Sequence, residues 1–159
     1  MRILQVLDSL GINYKRFDHV AVFTCEESSK IHIDSPGAHT KNLFLKTEKP
    51  PHKYFLYTLE CKQHADLKNL RLRLNSDRLT FANDQELQAI LGLTPGSVSP
   101  LGLINDISHQ VTYLIDRQLT TYNSLLVHPN DNTATLEISW PDFEKFLSRT
   151  GHPPSQVNI

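Results

Sequence analysis

A lysine and an asparagine stand side by side at positions 41 and 42, directly before an apolar run typical of a strand. The Pro36-Gly37 pair just upstream is a turn signal, which places Lys41 where a loop enters a sheet. A rigid strand can aim the ammonium of Lys41 into a cleft, where it would meet a bound anion. A lysine at a strand start is also common as a solvated edge charge that blocks pairing between sheets. The residues alone leave both interpretations open.

Two further segments could take part in chemistry. The loop at residues 96–100 (GSVSP) begins with glycine, which allows close backbone approach, and ends with proline, which fixes φ. Such a loop can present its backbone N–H groups to an ester carbonyl or a water molecule. Glycine and proline punctuate many loops, however, so an ordinary connection after a helix is the commoner outcome. His128 either lines the same cleft or caps a strand end before Pro129.

Other catalytic chemistries lack their sequence patterns. The chain has no Gly-x-Ser-x-Gly elbow and no Walker or dinucleotide glycine motif. Its eight histidines include no pair with zinc-site spacing, so we expect no metal and no cofactor. Cys25 could act as a nucleophile only if its pKa were lowered. Two cysteines are too few for a disulfide framework, and we predict that Cys25 and Cys61 are small buried hydrophobic residues.

The bulk properties are those of one ordinary globular domain. The 159 residues are 39% hydrophobic and 21% charged, which predicts a single domain over residues 1–159. No apolar run approaches the roughly 20 residues of a membrane span. Residues 1–8 (MRILQVLD) carry an early Asp and no small-residue cleavage site, unlike a signal peptide. We therefore expect a cytoplasmic protein with no membrane association, and a monomer.

Charge is unevenly distributed along the chain. The formal net charge is −1, which argues against a generally basic nucleic-acid binder. Residues 30–78, however, hold ten Lys and Arg against five Asp and Glu. A positive middle on a nearly neutral chain is what local phosphate contact requires, although a solvated face of mixed charge gives the same count.

Hydrophobic periodicity predicts alternating helices and strands. Helices are expected at residues 3–10, 24–31, 66–74, 83–91 and 140–147, and strands at 14–18, 42–46, 53–60, 79–82, 111–115, 125–127 and 133–138. The polar tail from about residue 151 is predicted to be loosely held. The pattern indicates an α+β domain with a central mixed, largely antiparallel β-sheet flanked by helices.

Taken together, the motifs resemble the YbaK/ProX family of aminoacyl-tRNA deacylases, and within it the free-standing prolyl-tRNA editing branch. The resemblance covers nearly the whole chain. The matching segments are residues 17–19 (FDH), 22–27 (VFTCEE), 37–45 (GAHTKNLFL), 66–68 (DLK), 79–82 (LTFA), 91–100 (LGLTPGSVSP) and 142–147 (DFEKFL). Each segment is weakly specific, but seven in register are strongly so. One departure is Val20, where the family often has proline.

The resemblance implies roles for individual residues. Lys41 is expected to be essential for deacylation and to contact the terminal nucleotide of tRNA, with Asn42 helping to hold the substrate. The aminoacyl pocket is expected to be formed by Thr40, Gly96, Ser97, Val98, Ser99, Pro100, Gly102 and His128. The lysines expected to contact more distant tRNA phosphates are Lys46, Lys49, Lys53 and Lys68. Hydrolysis would use a positioned water, helped by the ribose hydroxyl of the substrate.

These roles favour a trans-editing hydrolase that removes a wrong amino acid from tRNA, with Ala-tRNA(Pro) as the best-matching substrate. A proline pocket excludes a smaller residue by only ~1–3 kcal/mol per missing methylene, so a second, small pocket restores accuracy. Prolyl-tRNA synthetase is a possible partner. Two alternatives stay open: a deacylase for Cys- or Ser-charged tRNA, and a non-catalytic module that binds tRNA or nucleotides on the same fold.

Overall fold

The computed structural model describes residues 2–159 and shows one mixed β-sheet with helices on both faces. The helices are α1 (Arg2–Ser9), α2 (Cys25–Ser29), α3 (Leu67–Leu74), α4 (Asp84–Leu91) and α5 (Trp140–Thr150), with two 3₁₀-helices at Pro100–Asn105 and Arg117–Thr121. The strands are β1 (Tyr14–Asp18), β2 (Ala38–Thr47), β3 (Tyr54–Glu60), β4 (Leu79–Phe81), β5 (Val111–Asp116), β6 (Ser124–Val127), β7 (Ala134–Ser139) and β8 (Ser155–Val157).

The sheet combines antiparallel and parallel pairs in the order β1-β7-β6-β2-β3-β5-β8, with β4 also paired to β2. Four pairs are antiparallel, whereas β2 with β6, β3 with β5 and β5 with β8 are parallel. The predicted fold class, a mixed and largely antiparallel sheet flanked by helices, is therefore confirmed.

Strand β2 is the structural centre of the sheet and has different neighbours along its length. On one side it pairs with β3 from Thr40 to Lys46. On the other side Ala38 and His39 pair with β6, and residues from Leu45 onward pair with β4. Between those two pairings, residues 41–43 have a strand neighbour on the β3 side alone. The sheet thus leaves a gap beside Lys41 and Asn42.

Both faces of the sheet are packed, because successive strand residues point to opposite faces. Leu56 of β3 and Tyr113 of β5 face a cluster completed by helices α1, α4 and α5, including Phe143. Tyr57 and Leu114, one position along the same strands, face a second cluster with Leu70 of α3. The two clusters pack on both faces of β2 and β3, and they fix the position of the gap beside residues 41–43 of β2.

The helix starts follow the side-chain signals in the sequence. The side chains of Thr24, Asp66 and Asn83 accept hydrogen bonds from the backbone at the starts of α2, α3 and α4. Asn83 also forms a reciprocal capping box with Glu86. No helix within residues 2–159 combines the length and apolar character needed to cross a bilayer.

The chain end differs from the prediction that the tail from about residue 151 is loosely held. His152 is buried, and its Nε2 lies 2.9 Å from the buried carboxylate of Asp106. Beyond it, β8 pairs with β5, and Val157 is buried in the second cluster. The prediction was wrong because a polar, proline-bearing sequence gave no sign of the distant partners that hold it.

Candidate active site

A small cavity of about 180 Å³ lies at the gap in β2. Its walls come from β2, from β6 and the residue after it, from the loop at residues 96–100, and from the segment that contains α2. The lining residues are Val22, Phe23, Thr24, Cys25, Ser28, Ile33, His39, Thr40, Lys41, Asn42, Cys61, Gly96, Val98, Leu126, Val127, His128 and Thr135. Thr40, Lys41, Asn42, Gly96, Val98 and His128, all predicted from the sequence, are therefore brought together.

Lys41 is the charged centre of the cavity wall. It lies on β2 opposite Leu59 of β3 and is half-buried. Among residues 2–159, no carboxylate forms an ion pair with its ammonium, and no hydrogen bond engages it. A half-buried ammonium without a protein partner is available to an anionic ligand that enters the cavity.

Asn42 is engaged with the protein itself. Its Nδ2 donates to the carbonyl of Val98 at 3.4 Å, and its Oδ1 accepts a hydrogen bond from the hydroxyl of Thr58. The Thr58 hydroxyl in turn accepts a hydrogen bond from the buried Tyr113 at 2.8 Å. Asn42 therefore ties β2 to the loop at residues 96–100, which makes it a positioning residue.

The loop at residues 96–100 presents backbone to the cavity. Gly96 has φ +86, and a Cβ there would lie 2.7 Å from the ring of Phe23, so only glycine fits. The Ser99 hydroxyl donates to the carbonyl of His128 at 2.6 Å and accepts from Leu101 N–H, which starts a 3₁₀-helix. The N–H groups of Gly96 and Val98 have no hydrogen-bond partner among residues 2–159. Both residues line the cavity.

Four residues that were predicted to line the pocket lie in the protein interior and not in the cavity wall. Ser97, Ser99, Pro100 and Gly102 are buried and do not line the cavity. Gly102 packs against Leu93, since a Cβ there would lie 2.6 Å from the leucine side chain. These residues shape the loop from behind rather than contact what the cavity holds.

His128 contributes a neutral imidazole. Its Nδ1 lies 3.0 Å from the carbonyl of Ala134, which can only accept, so Nδ1 carries the proton and Nε2 is left as an acceptor. Burial lowers the pKa of His128, and the nearby ring of His19, 6.4 Å away, acts in the same direction. The ring is therefore uncharged at neutral pH.

Comparison with known proteins identifies the family. The model of the aminoacyl-tRNA editing domain matches residues 19–146, most of the chain and every wall of the cavity. The chain belongs to this family.

Similar proteins cover nearly its full length. The prolyl-tRNA editing protein ProX of Acetoanaerobium sticklandii is 39% identical over 157 residues, covering 99% of this chain and 95% of that protein. Prolyl-tRNA synthetase associated domain-containing protein 1 of Danio rerio is 34% identical, covering 94% of this chain and 82% of its own. A crystal structure of a candidate trans-editing enzyme for prolyl tRNA synthetase shares the fold, with a TM-score of 0.72, 20% identity and coverage of 99% and 96% of the two chains.

This editing domain has a disulfide in the cavity wall. Cys25 of α2 and Cys61, which follows β3, are bonded to each other across 36 positions of sequence. The prediction that both are simply buried hydrophobic residues was wrong. The one sequence signal for this pair is that the chain contains no other cysteine, and that signal does not say that the two residues meet.

The four lysines predicted to contact tRNA phosphates lie away from the cavity. Lys46 is five residues from Lys41 along β2, roughly 17 Å away at strand spacing, and its ammonium is 2.8 Å from Glu86. Lys49 and Lys53 are exposed near the β2–β3 connection, and Lys68 is exposed on α3. Among residues 2–159 no group of three or more His, Cys, Asp or Glu could hold a metal ion.

Because of the Lys46–Glu86 pair, the stability of the editing domain depends on pH in the acid range. Burial alone would raise the pKa of Glu86, but hydrogen bonds from Lys46, Tyr54 and Asn83 N–H outweigh it and lower this pKa from 4.5 to about 2. A carboxyl whose pKa is lowered by folding stabilises the native state above the unfolded-state pKa. The stabilisation is lost as pH falls towards 2.

We expect Glu86→Gln to reduce the free energy of unfolding by up to about 3 kcal/mol above pH 5, and by progressively less towards pH 2. Urea denaturation at a series of pH values measures this. Glu144→Gln, at an exposed position, is the matched control. A deficit that stays constant between pH 5 and pH 2.5 would contradict the assignment.

Proposed function

We propose that this protein is a trans-editing hydrolase that removes a wrongly attached amino acid from tRNA, with Ala-tRNA(Pro) as its substrate. The observation that carries the proposal is the unpaired ammonium of Lys41 in the wall of a cavity of about 180 Å³. Membership in the aminoacyl-tRNA editing family supports the reaction class. The relative named as a prolyl-tRNA editing protein supports the choice of tRNA.

The cavity size favours a small amino acid. Ordinary small-molecule pockets are roughly 300–1,000 Å³, and this one is about 180 Å³. A space of this size suits a small group such as alanyl, and we propose that Val98 and the wall that contains Cys25 set the upper limit on the side chain that enters. Exclusion by size depends on how firmly the walls are held, because a larger group has to overpack them to enter.

The chemistry we propose is positioning combined with charge stabilisation. Lys41 holds the terminal nucleotide through its phosphate or ribose oxygens, so that the ester carbonyl lies against the loop at residues 96–100. The N–H groups of Gly96 and Val98 stabilise the negative charge that develops on the carbonyl oxygen. The neutral Nε2 of His128 accepts a hydrogen bond from the α-ammonium of the substrate. The attacking water is oriented with help from the ribose hydroxyl of the substrate, and no covalent intermediate forms.

The deciding experiment uses purified protein and a panel of labelled aminoacyl-tRNAs in which amino acid and tRNA are varied independently. We expect Ala-tRNA(Pro) to be hydrolysed fastest and Pro-tRNA(Pro) to survive. If Cys- or Ser-charged tRNA is hydrolysed faster, the protein is still a deacylase, but the proposed amino acid is wrong. Tight binding of every tRNA without hydrolysis would reject the enzyme in favour of a binding module.

We also propose that the protein works in the cytoplasm as a monomer and receives its substrate near prolyl-tRNA synthetase. The net charge of −1 supports a need for a partner, because it provides little long-range attraction for tRNA. Affinity for tRNA alone is then modest, and transfer of mischarged tRNA from a nearby synthetase makes up for it.

We propose that exposed lysines within residues 30–78, the positively charged part of the chain, contact tRNA phosphates beyond the acceptor end. We expect Lys49→Ala/Lys53→Ala to weaken binding similarly for all tRNAs and to lower the salt slope by about one unit per lost contact. Titrations at several salt concentrations measure this. Lys15→Ala/Lys145→Ala, which removes the same charge outside residues 30–78, is the control. Equal slopes in wild type and the Lys49/Lys53 variant would place the tRNA elsewhere.

A further inference from the structure

The segment at residues 24–36, which we call the wall segment, forms one side of the cavity with very little to hold it. Every hydrogen bond that its residues make lies within residues 24–37, among them Ser28 N–H to Thr24 O and Lys30 N–H to Glu27 O. None of its side chains takes part in an ion pair among residues 2–159. Helix α2 within it has only five residues, none of them buried.

The Cys25–Cys61 disulfide therefore fastens the wall segment to the rest of the molecule. Cys61 is on the fixed side, because it follows β3 directly and its N–H donates to the carbonyl of His39 at 2.9 Å. Cys25 is on the wall segment, as the first residue of α2. Both cysteines, together with Thr24, Ser28 and Ile33 of the wall segment, line the cavity. The bond thus controls a wall of the proposed aminoacyl pocket.

A disulfide at this place has a consequence for a protein that acts on tRNA. Cytosolic thiols keep protein cysteines reduced, and cytosolic disulfides are usually transient, catalytic or redox-sensing. Exposed disulfides are the more labile ones and the ones used in regulation, and Cys25 and Cys61 are each only half-buried at the rim of a cavity. Small thiols can reach a bond in such a position.

We propose that Cys25 and Cys61 form a reversible thiol–disulfide switch that sets the shape of the aminoacyl pocket. In the oxidised protein the wall segment is fastened, and the cavity has its defined small volume. In the reduced protein the wall segment keeps only its internal hydrogen bonds and moves away from the cavity. Substrate then binds a pocket with one wall unfixed, so KM rises and discrimination by size is relaxed.

The switching step is ordinary thiol–disulfide exchange. A thiolate of glutathione or of a protein dithiol attacks one sulfur of the pair, which breaks the Cys25–Cys61 bond and forms a mixed disulfide. A second thiol of the reductant then attacks the mixed disulfide. Two electrons pass to the two cysteines, two protons are taken up as both become thiols, and the reductant leaves as its own disulfide. Oxidised glutathione drives the reverse reaction.

Two measurements on the full chain test the switch, after equilibration with either reduced or oxidised glutathione and quantification of free thiols. The first is amide hydrogen exchange, which needs no substrate. We expect exchange in residues 24–36 to be faster in the reduced protein, while exchange in β2 and β3 stays the same. The second is deacylation kinetics, where we expect KM for the aminoacyl-tRNA to rise about fivefold or more on reduction, the lower end of typical coupling between sites.

Cysteine variants provide the controls. Cys25→Ser/Cys61→Ser is expected to resemble reduced wild type in both measurements and to respond to neither form of glutathione. Cys25→Ala/Cys61→Ala should behave in the same way, which separates loss of the bond from the polarity of serine. Single variants cannot form the bond and should match the double ones in reduced glutathione, whereas oxidised glutathione can convert their remaining thiol to a mixed disulfide.

The outcomes separate this switch from the proposed function on which its kinetic part rests. Free thiols that persist under oxidised glutathione, or equal exchange in the two states, would overturn the switch whether or not the protein deacylates tRNA. If hydrogen exchange in residues 24–36 differs between the oxidised and reduced proteins but KM is the same, the claim that the disulfide controls the pocket would be overturned. If no aminoacyl-tRNA is hydrolysed in either state, the proposed function fails, and the exchange measurement still decides whether the wall segment responds to thiols.

Discussion

Replacing Lys41 with alanine is expected to lower the rate of deacylation by about a hundredfold or more, because the terminal nucleotide is no longer held and the ester loses its position against the loop at residues 96–100. No other lysine or arginine side chain among residues 3–159 lines the cavity and could take over this contact. The fold should remain intact, because this ammonium supports no hydrogen bond or ion pair in the described protein. Single-turnover deacylation of Ala-tRNA(Pro), with thermal unfolding in parallel, measures both effects.

Two variants sharpen this test. Lys145→Ala removes the same charge from an exposed position on α5, and should leave turnover close to that of wild type. Lys41→Arg keeps the charge but changes its shape, so it should recover part of the substrate affinity. Undiminished turnover by a normally folded Lys41→Ala protein would remove Lys41 from the mechanism.

Replacing Asp106 with alanine is expected to destabilise the protein by about 3 kcal/mol or more, because it leaves several buried groups without a partner. The Asp106 carboxylate accepts hydrogen bonds from the N–H groups of Gln110 and Val111 at 3.0 and 2.9 Å, and lies 2.9 Å from Nε2 of His152. Asp106 and His152 are 2% and 3% exposed, so water cannot replace the lost contacts. Urea denaturation at neutral pH measures the loss.

Conservative and distant variants distinguish this explanation from a general effect of mutation. Asp106→Asn keeps an oxygen acceptor and should lose less stability than Asp106→Ala. Asp77→Ala, which removes an exposed carboxyl group, should stay within about 0.5 kcal/mol of wild type. A loss for Asp106→Ala no larger than that of Asp77→Ala would show that the carboxylate does not hold the chain end.

Local features of the fold could be predicted, because their causes are local. A helix was predicted at residues 83–91, and α4 spans Asp84–Leu91, because the signals at its ends, the Asn83 cap and Gly92, each act within one helix turn. The strand β1 was predicted with the bounds that the structure shows. By contrast, the parallel pairing of β3 with β5 and the strand β8 depend on contacts between distant residues. No periodicity in the sequence specifies such pairings.

The candidate site also has features with local causes and features that depend on contacts between distant residues. The family motif directed attention to Lys41, which the sequence placed before the strand, whereas β2 begins three residues earlier, at Ala38. The positioning role of Asn42 could not be predicted, because it depends on Thr58 and Tyr113, which the fold brings from two other strands. The disulfide was missed because Cys25 and Cys61 lie 36 positions apart, and their meeting depends on how the wall segment returns to the sheet.

The two outer strands of the sheet have a consequence for behaviour at high concentration. An unpaired strand edge is a template for association with other chains. β1, at one edge, presents Lys15, Arg16 and Asp18, whose charges oppose the approach of a second sheet. At the other edge, the three-residue β8 covers part of β5 and offers little backbone of its own. Removing residues 151–159 would expose β5, and we expect the shortened chain to aggregate through that edge under conditions in which the full chain stays dispersed.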